Sequence, residues 1–186
     1  MSWNLVRLAD VQQSPWRNGG GVTQELVAWP DNGDWVWRMS VAQIDAEGPF
    51  SRFDGVERWF AVLSGAGVRL DVDGAAHTLA VADAPFLFDG GSETHCTLQE
   101  SSTQDFNLMV RRGAGRSHMQ RIQGQFGVAL NAPKMIAVYT LQTGATVQFD
   151  SEVTELAPDT LAWRNVPPYA PVQVVSANAL WIEVDL

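Results

Sequence analysis

Apolar residues occur along this chain in short runs, with almost no sustained 3.6-residue helical period. The runs are rich in β-branched and aromatic residues and are bounded by glycine, proline, aspartate or asparagine, as strands are. The pattern therefore predicts an all-β protein. The predicted strands are 3–8, 22–29, 35–44, 58–63, 68–72, 77–80, 85–88, 96–99 and 106–112, followed by 119–122, 134–141, 146–149, 154–156, 160–165, 172–175 and 180–184.

Turn residues organise these runs into two sets. Asp73-Gly74 is a hairpin signal within the first set, and Gly113-Ala114-Gly115 marks a joint before the second. The number and spacing of strands suit a bicupin, that is, two jelly-roll barrels in tandem. We expect a first cupin-like barrel over residues 1–112 and a second over 113–186, with pairing of terminal strands across the two left open. A single large sandwich is the competing interpretation.

Strand alternation places polar residues together on two of the predicted strands. Arg38 and Ser40 share one face of the strand 35–44, and Asn107 and Arg111 share one face of the strand 106–112. An ordinary solvent-exposed face would show the same pattern, since most arginines are exposed. These positions therefore indicate a candidate ligand face without distinguishing it from a surface.

Arg58 stands out because both faces of its strand are apolar. We expect it at the rim of a buried strand, where a charged side chain needs a partner. The sequence offers two kinds of partner. One is a nearby carboxylate, Glu57 or Asp54, and the other is the carboxylate of a ligand.

The amino-acid composition limits the kinds of binding partner that are expected. Among the 186 residues, 12 are Lys or Arg and 21 are Asp or Glu, so the net charge is -9. That charge disfavours nucleic acid and anionic membranes as partners. Every basic residue except Lys134 is arginine, which binds carboxylates in a fork geometry. With no signal-peptide pattern and a lone Cys96, the expected location is cytoplasmic.

The stretch from Pro15 to Glu25 contains the most unusual local sequence, three consecutive glycines beside hydrogen-bonding side chains. Glycines permit positive φ and close approach of a ligand. The spacing is neither that of a dinucleotide fingerprint nor that of a P-loop. A purely structural turn is the alternative interpretation. Trp16, within this stretch, is the tryptophan best placed by sequence to form a ligand-binding wall.

Four motifs in order resemble the HutD/Ves family. They are Trp16-Arg17-Asn18-Gly19-Gly20-Gly21-x-Thr23-x-Glu25, Trp37-Arg38-x-Ser40, Gly48-Pro49-Phe50-Ser51-x-Phe53-x-Gly55-x-x-Arg58 and Asp105-Phe106-Asn107-Leu108-Met109-x-Arg111-Arg112. The resemblance is carried by residues up to 112; beyond them it rests on length and β character.

The resemblance implies a bicupin linked to histidine utilisation that binds a small carboxylate without catalysis and moderates the pathway. Formylglutamate is the first candidate ligand and urocanate another, with no cofactor. The sequence does not decide between a monomer and a homodimer. We expect backbone N–H groups of the glycine run to add an anion-binding nest. The expected ligand-binding residues are Trp16, Asn18, Gly19, Gly20, Thr23, Arg38, Ser40, Arg58, Asn107 and Arg111.

Two other functional classes remain open from the residues. A metal-independent isomerase or lyase acting on a similar acid would need a base, for which Glu25 is the candidate. An interaction protein would use its tryptophans on an exposed apolar patch. A closed, arginine-lined cavity would argue against an interaction protein. Measured turnover would distinguish an isomerase or lyase from a binding protein.

We predict that the purified protein holds no tightly bound transition metal. His77, His95 and His118 stand far apart in sequence, and none forms the HxH pair that brings imidazoles to one metal ion. Elemental analysis is expected to find less than stoichiometric metal, and chelation is expected to leave the melting temperature unchanged. Stoichiometric metal, lost together with stability on chelation, would contradict this prediction.

Overall fold

A computed structural model describes residues 2–186, and over this range it contains strands, loops and one short 3-10 helix, Leu8–Asp10. The chain is therefore all-β, as predicted. The strands are β1 (Asn4–Arg7), β2 (Ser14–Pro15), β3 (Gly21–Trp29), β4 (Trp37–Ile44), β5 (Gly48–Pro49), β6 (Val56–Ser64), β7 (Val68–Val72), β8 (Ala75–Leu79), β9 (Phe86–Asp89), β10 (Thr94–Leu98), β11 (Thr103–Arg111), β12 (Ser117–Ala129), β13 (Lys134–Thr140), β14 (Ala145–Phe149), β15 (Glu152–Leu156), β16 (Thr160–Val166) and β17 (Pro171–Asp185).

The chain divides into two compact units. The N unit is Val11–Arg112, and the C unit combines the chain up to Asp10 with Gly113–Leu186. The predicted first barrel, 1–112, therefore differs from the N unit in its first ten residues. The physical reason is strand pairing: β1 lies antiparallel to β16, with Asn4 opposite Trp163 and Arg7 opposite Thr160.

Two antiparallel sheets form the N unit. One has six strands in the order β2-β3-β4-β11-β6-β9, and the other has four in the order β5-β10-β7-β8. Phe60 and Val62 of the first sheet pack with Leu70 and Cys96 of the second in one buried cluster. The core of the N unit therefore lies between the two sheets, as in a jelly roll.

The predicted hairpin at Asp73-Gly74 is present between β7 and β8. Both residues have positive φ, 48° and 84°, which is the backbone twist that a two-residue hairpin turn needs. The prediction of two separate strands near the end of the chain was wrong. Residues 172–175 and 180–184 belong to one strand, β17, because β12 pairs with it along its length from Ser117 to Ala129.

The C unit is a seven-stranded sheet in the order β1-β16-β13-β17-β14-β15, with β12 also paired to β17. Its interior is filled by apolar side chains around Trp181, which is fully buried and packs against Phe126 with ring centroids 5.2 Å apart. Over residues 2–186 we find no helix with the length and apolar character needed to cross a membrane.

We expect Trp3→Ala to destabilise the C unit by about 3 to 5 kcal/mol, the usual cost of deleting a buried large aromatic side chain. Trp3 is buried in the core of the C unit, and the guanidinium of Arg164 lies 5.3 Å from its ring. Leu5→Ala is the matched control, because Leu5 lies two residues away but is exposed. Urea denaturation measures both changes. Equal, small effects would contradict the assignment of the first ten residues to this unit.

Candidate ligand-binding site

The N unit contains a cavity of about 540 Å³, within the size range of small-molecule sites. Its lining comes from β2 and the loop that follows it, from the chain around β5, and from β3, β4, β6 and β11. The lining residues are Pro15, Trp16, Arg17, Asn18, Thr23, Arg38, Ser40, Ala42, Pro49, Phe50, Ser51, Phe53, Arg58, Asn107 and Met109.

Strand register places the polar residues of the cavity in adjacent rows. On neighbouring strands, Met109 of β11 lies opposite Arg38 of β4 on one side and Arg58 of β6 on the other. In the next row Asn107 lies opposite Ser40. Residues two apart on a strand share a face, so the inward face of three adjacent strands carries all five side chains. The alternation predicted from the sequence therefore corresponds to the cavity wall.

Arg58 is the buried cation of this wall, with only 8% of its surface exposed. Its guanidinium carbon lies 4.6 Å from the ring centre of Phe50 and 5.5 Å from that of Phe88. Its Nε donates a hydrogen bond of 2.7 Å to Oδ1 of Asn107. Burial lowers the pKa of Arg58 to about 10, which still leaves it charged at neutral pH.

No carboxylate of residues 2–186 pairs with Arg58. Neither Glu57 nor Asp54, the two partners that the sequence offered, forms an ion pair with it, and Asn107 is its hydrogen-bond partner within the described chain. The terminal nitrogens of a cavity-lining guanidinium are therefore left without a protein acceptor. A buried charge in this condition is stabilised by an anion.

Asp105 lies behind Asn107 on the same face of β11. Nδ2 of Asn107 donates a 2.5 Å hydrogen bond to Oδ2 of Asp105, which is 1% exposed. Its Oδ1 is buried without a hydrogen-bond partner among the described residues. Burial raises the pKa of Asp105 to about 7, against the opposing influence of Arg58 and of the bond from Asn107.

Arg38 is held by a carboxylate, unlike Arg58. Its Nε donates a hydrogen bond of 2.5 Å to Oε2 of Glu25, and its Nη1 lies 4.0 Å from Sδ of Met109. The Glu25 side chain is half-exposed, so it fixes Arg38 without lining the cavity. Since Glu25 is engaged in this ion pair, its role in the geometry is to orient a cation.

Trp16 and Thr23 form the opposite edge of the lining. Nε1 of Trp16 donates a 2.7 Å hydrogen bond to Oγ1 of Thr23, and the indole meets the ring of Phe50 edge to face at 6.3 Å. Because the Thr23 oxygen already accepts a bond, its own O–H is left to donate. The indole is thus fixed on two sides as a cavity wall.

The glycine run is a structural turn, and the predicted anion nest at Gly19 and Gly20 is wrong. The Gly19 N–H donates to the carbonyl of Trp16, and the Gly20 N–H donates to Oδ1 of Asn18, each at 3.0 Å. Neither glycine lines the cavity. The φ of Gly19, 72°, shows why a glycine is needed there. The turn instead places Asn18 and Trp16 in the wall.

Arg111 was also expected in the site, and the structure places it elsewhere. It is exposed and pairs with Asp34 at 3.0 Å, its Nε donates to the carbonyl of Trp35, and its guanidinium lies over the Trp35 ring. Alternation alone put it on the face of Asn107. As the last residue of β11, however, Arg111 reaches the loop between β3 and β4 instead of the cavity.

Several lining residues were not singled out from the sequence. Pro49, Phe50, Ser51 and Phe53 come from the loop segment around β5, where no strand alternation exists to assign a face. The available signal was their membership of the third motif. Asp105 belongs to the fourth motif but was not among the expected site residues, because the predicted strand begins at Phe106 whereas β11 begins at Thr103.

The cavity is cationic in an acidic protein. Its lining contains Arg17, Arg38 and Arg58 but no Asp, Glu, His, Cys, Lys or Tyr, whereas the whole chain carries a net charge of -9. Within residues 2–186 no cluster of three His, Cys, Asp or Glu side chains could hold a metal ion. The arrangement suits an anionic ligand bound by arginine forks and neutral donors.

Comparison with known proteins identifies the family. The family model HutD matches residues 8–182 of the chain. The chain belongs to the HutD family. This family model extends through both units, whereas the four motifs carried the resemblance only as far as residue 112.

Curated relatives align with part of the chain. An uncharacterised 21.2 kDa protein in the hutC 3' region of Pseudomonas putida is 37% identical over 124 residues, which are 64% of each chain. Protein Ves of Citrobacter koseri is 41% identical over 109 residues, or 55% of this chain and 56% of its own. The aligned region thus spans less than two thirds of the length of these relatives.

Solved structures resemble the whole chain. A conserved protein of unknown function from Pseudomonas aeruginosa PAO1 has a TM-score of 0.90 at 28% identity, with both chains fully covered. HutD from Pseudomonas fluorescens SBW25 has a TM-score of 0.83 at 28% identity, covering 99% of this chain and 98% of that one. An oxalate decarboxylase of Bacillus subtilis, at 7% identity and a TM-score of 0.67 over all of this chain and 78% of its own, shares the fold alone. The predicted bicupin fold is confirmed.

We expect Gly21→Ala to lower the stability of the N unit by about 1 to 3 kcal/mol, the usual cost of overpacking. A Cβ at Gly21 would stand 2.2 Å from the carbonyl oxygen of Gln43 on the paired strand β4, and backbone there has little room to shift. Gly48→Ala is the control, since the nearest atom to its Cβ would be 3.7 Å away. Thermal unfolding compares them, and an equal effect of the two would contradict the close-packed turn.

Proposed function

We propose that the cavity of the N unit binds a small carboxylic acid of histidine breakdown, with formylglutamate, a dicarboxylate, as the first candidate and urocanate, a monocarboxylate, as the second. The observation that carries this proposal is Arg58, a buried guanidinium that lines the cavity and has no carboxylate partner within residues 2–186. An anion supplied by a ligand would complete this site, because charge-assisted hydrogen bonds compensate for burial of the charge.

The remaining lining groups suit the rest of such a ligand. Arg58 and Arg38 lie two strand spacings apart, roughly 10 Å between backbones, so that their long side chains can reach two carboxylates of one small molecule. The hydroxyls of Ser40 and Thr23 and the amide of Asn18 provide neutral donors for an amide or formyl oxygen. Formylglutamate presents two carboxylates and one formamide, and it therefore matches this set.

We further propose that the protein acts without catalysis. The lining provides no side chain that exchanges a proton near neutral pH. Glu25, the base that an isomerase or lyase would have used, is bonded to Arg38. The protein would then act by being either occupied or empty, as a sensor of the ligand concentration. Such a role agrees with the moderating role that the family resemblance implies and with a relative whose name places it in the hutC 3' region of Pseudomonas putida.

A metal-independent isomerase or lyase is the second candidate because of Asp105, whose pKa of about 7 suits an acid or base. Asp105 does not line the cavity, since Asn107 covers it. Incubation of the protein with formylglutamate or urocanate, followed by NMR, distinguishes the candidates. Unchanged spectra support the binding role, whereas turnover that is lost in Asp105→Asn supports the enzyme.

We expect Arg58→Ala to weaken formylglutamate binding by about 1.5 to 3 kcal/mol, at least about tenfold, the worth of a hydrogen bond to a charged group. Arg58→Lys keeps the charge but loses the fork, and we expect it to bind with intermediate affinity. Isothermal titration calorimetry measures the affinities. Arg111→Ala is the matched control, because Arg111 lies outside the cavity and its loss should leave the affinity unchanged.

Thermal unfolding provides a second readout of the same prediction. At about a hundred times its dissociation constant, formylglutamate should stabilise the wild-type protein by about 2.7 kcal/mol. That corresponds to a rise of roughly 5 to 10 °C in the melting temperature of a protein of this size. Histidine, with its cationic amino group, should give a much smaller shift. No shift with either acid would contradict the assigned ligand. An equal shift in Arg58→Ala would contradict the assignment of Arg58 as the residue that anchors it.

A further inference from the structure

Asp105 is a buried carboxyl group connected to the cavity by a single side chain. Arg58 donates to the oxygen of the Asn107 amide, and the nitrogen of the same amide donates to Oδ2 of Asp105. The Asn107 amide therefore links Arg58 in the cavity wall to the carboxyl group of Asp105 through two consecutive hydrogen bonds. Oδ1 of Asp105 is buried and has no hydrogen-bond partner within residues 2–186, which leaves one oxygen free to hold a proton.

Few charged groups surround this carboxyl. Its partners across the sheet are Ala42 on β4 and Val62 on β6, neither of which ionises. Arg58 on β6 is the cation that acts on it, and Cys96 on β10 of the opposite sheet lies within its electrostatic reach. Burial raises the pKa of the Cys96 thiol to about 12, so that it is uncharged at neutral pH.

Two more distant charges act on these neighbours. Arg38 on β4 acts electrostatically on Arg58, and Glu47 in the segment between β4 and β5 acts on Cys96. Neither Arg38 nor Glu47 is among the groups that shift the pKa of Asp105 itself. The charge state of Asp105 near neutral pH is therefore governed by its burial, by Arg58 and by the bond from Asn107.

We propose that Asp105 takes up a proton from solvent onto Oδ1 when an anion binds to Arg58, so that occupancy of the cavity is coupled to pH. The inference rests on the proposed function, since it requires an anion at Arg58. It gives a role to a carboxyl group that does not touch the ligand. Asp105 acts through Asn107 and Arg58 and is a coupling residue, not a catalytic one.

The sign of the coupling follows from the charges. The positive Arg58 favours the ionised form of Asp105, and this influence holds the pKa near 7 against burial. A bound anion offsets the charge of Arg58, so that the pKa of Asp105 rises and the protonated form gains population. Binding therefore consumes protons, and affinity falls as pH rises through the pKa of Asp105. The carboxylates of formylglutamate are already ionised across this range.

Asp105→Asn separates coupling from a merely structural role. The amide can still accept the hydrogen bond from Asn107, but it is neutral at every pH, like protonated Asp105. We expect this variant to bind formylglutamate as tightly as the wild type at about pH 6. At about pH 8.5 it should bind more tightly than the wild type, by at most about tenfold for each unit by which the anion raises the pKa of Asp105.

The test is calorimetric titration of formylglutamate into the intact wild-type protein in HEPES and in Tris at about pH 7.5, with no phosphate present because phosphate would compete for an arginine-lined site. The dependence of the measured enthalpy on the buffer gives the protons taken up. We expect a positive fraction of one proton for the wild type and none for Asp105→Asn. Asp71→Asn is the control, because Asp71 lies in a partly exposed pair with Arg69 on the other sheet, and it should retain the uptake.

The outcomes are distinct. Binding without proton uptake, or uptake that persists in Asp105→Asn, overturns the coupling and leaves the proposed function in place. Weaker binding of Asp105→Asn at both pH values would show a structural role and also overturn the coupling. Absence of binding at either pH overturns the proposed function together with this inference. If Asp105→Asn does not fold, the wild-type measurement alone decides, since zero uptake excludes the coupling.

Discussion

A guanidinium buried in an apolar barrel without a carboxylate partner is the constraint on which the site depends. Burying a charge is costly unless hydrogen bonds and opposite charge compensate for it. Arg58 receives part of that compensation from Asn107 and from the faces of Phe50 and Phe88. The buried carboxyl of Asp105 also attracts it electrostatically, but no carboxylate of residues 2–186 is in ion-pair contact with its guanidinium. Under the proposed function, a ligand anion makes that contact.

Sheet register is what turns scattered motifs into one wall. Arg38, Met109 and Arg58 are far apart in sequence but occupy adjacent strands of one sheet, in one row. The glycine run contributes by turning the chain so that Trp16 and Asn18 face the same cavity. The C unit shares the β architecture, but its interior is occupied by a core that includes Trp181.

Strand alternation and turn chemistry were sufficient to predict the all-β fold and the hairpin at Asp73-Gly74. They also placed Arg38 and Ser40 on one face of their strand and Asn107 on one face of its own, without deciding between a ligand face and a solvent face. Strand alternation and turn chemistry depend on neighbouring residues in the sequence, so they can be recognised without knowing the fold. The pairing of β1 with β16 is a long-range contact for which no local pattern exists. It could not be predicted from the sequence alone.

The errors in the candidate site have similar causes. Arg111 has the alternation of a cavity residue, but at the end of its strand a salt bridge to Asp34 determines where it lies. Gly19 and Gly20 have the composition of an anion nest, but their N–H groups are used inside the turn. Asp105 belongs to the fourth motif, but the polar residues before Phe106 do not reveal in sequence that the buried strand already begins at Thr103.

A crystal structure of the protein grown with formylglutamate would show directly whether an anion contacts Arg58. We expect density for the ligand in the cavity of the N unit, with a carboxylate in fork contact with the terminal nitrogens of Arg58 at about 2.8 Å. Asn107 should keep its bond to Nε of Arg58. An empty cavity at saturating ligand, or a ligand bound elsewhere with Arg58 turned to a protein carboxylate, would contradict the account.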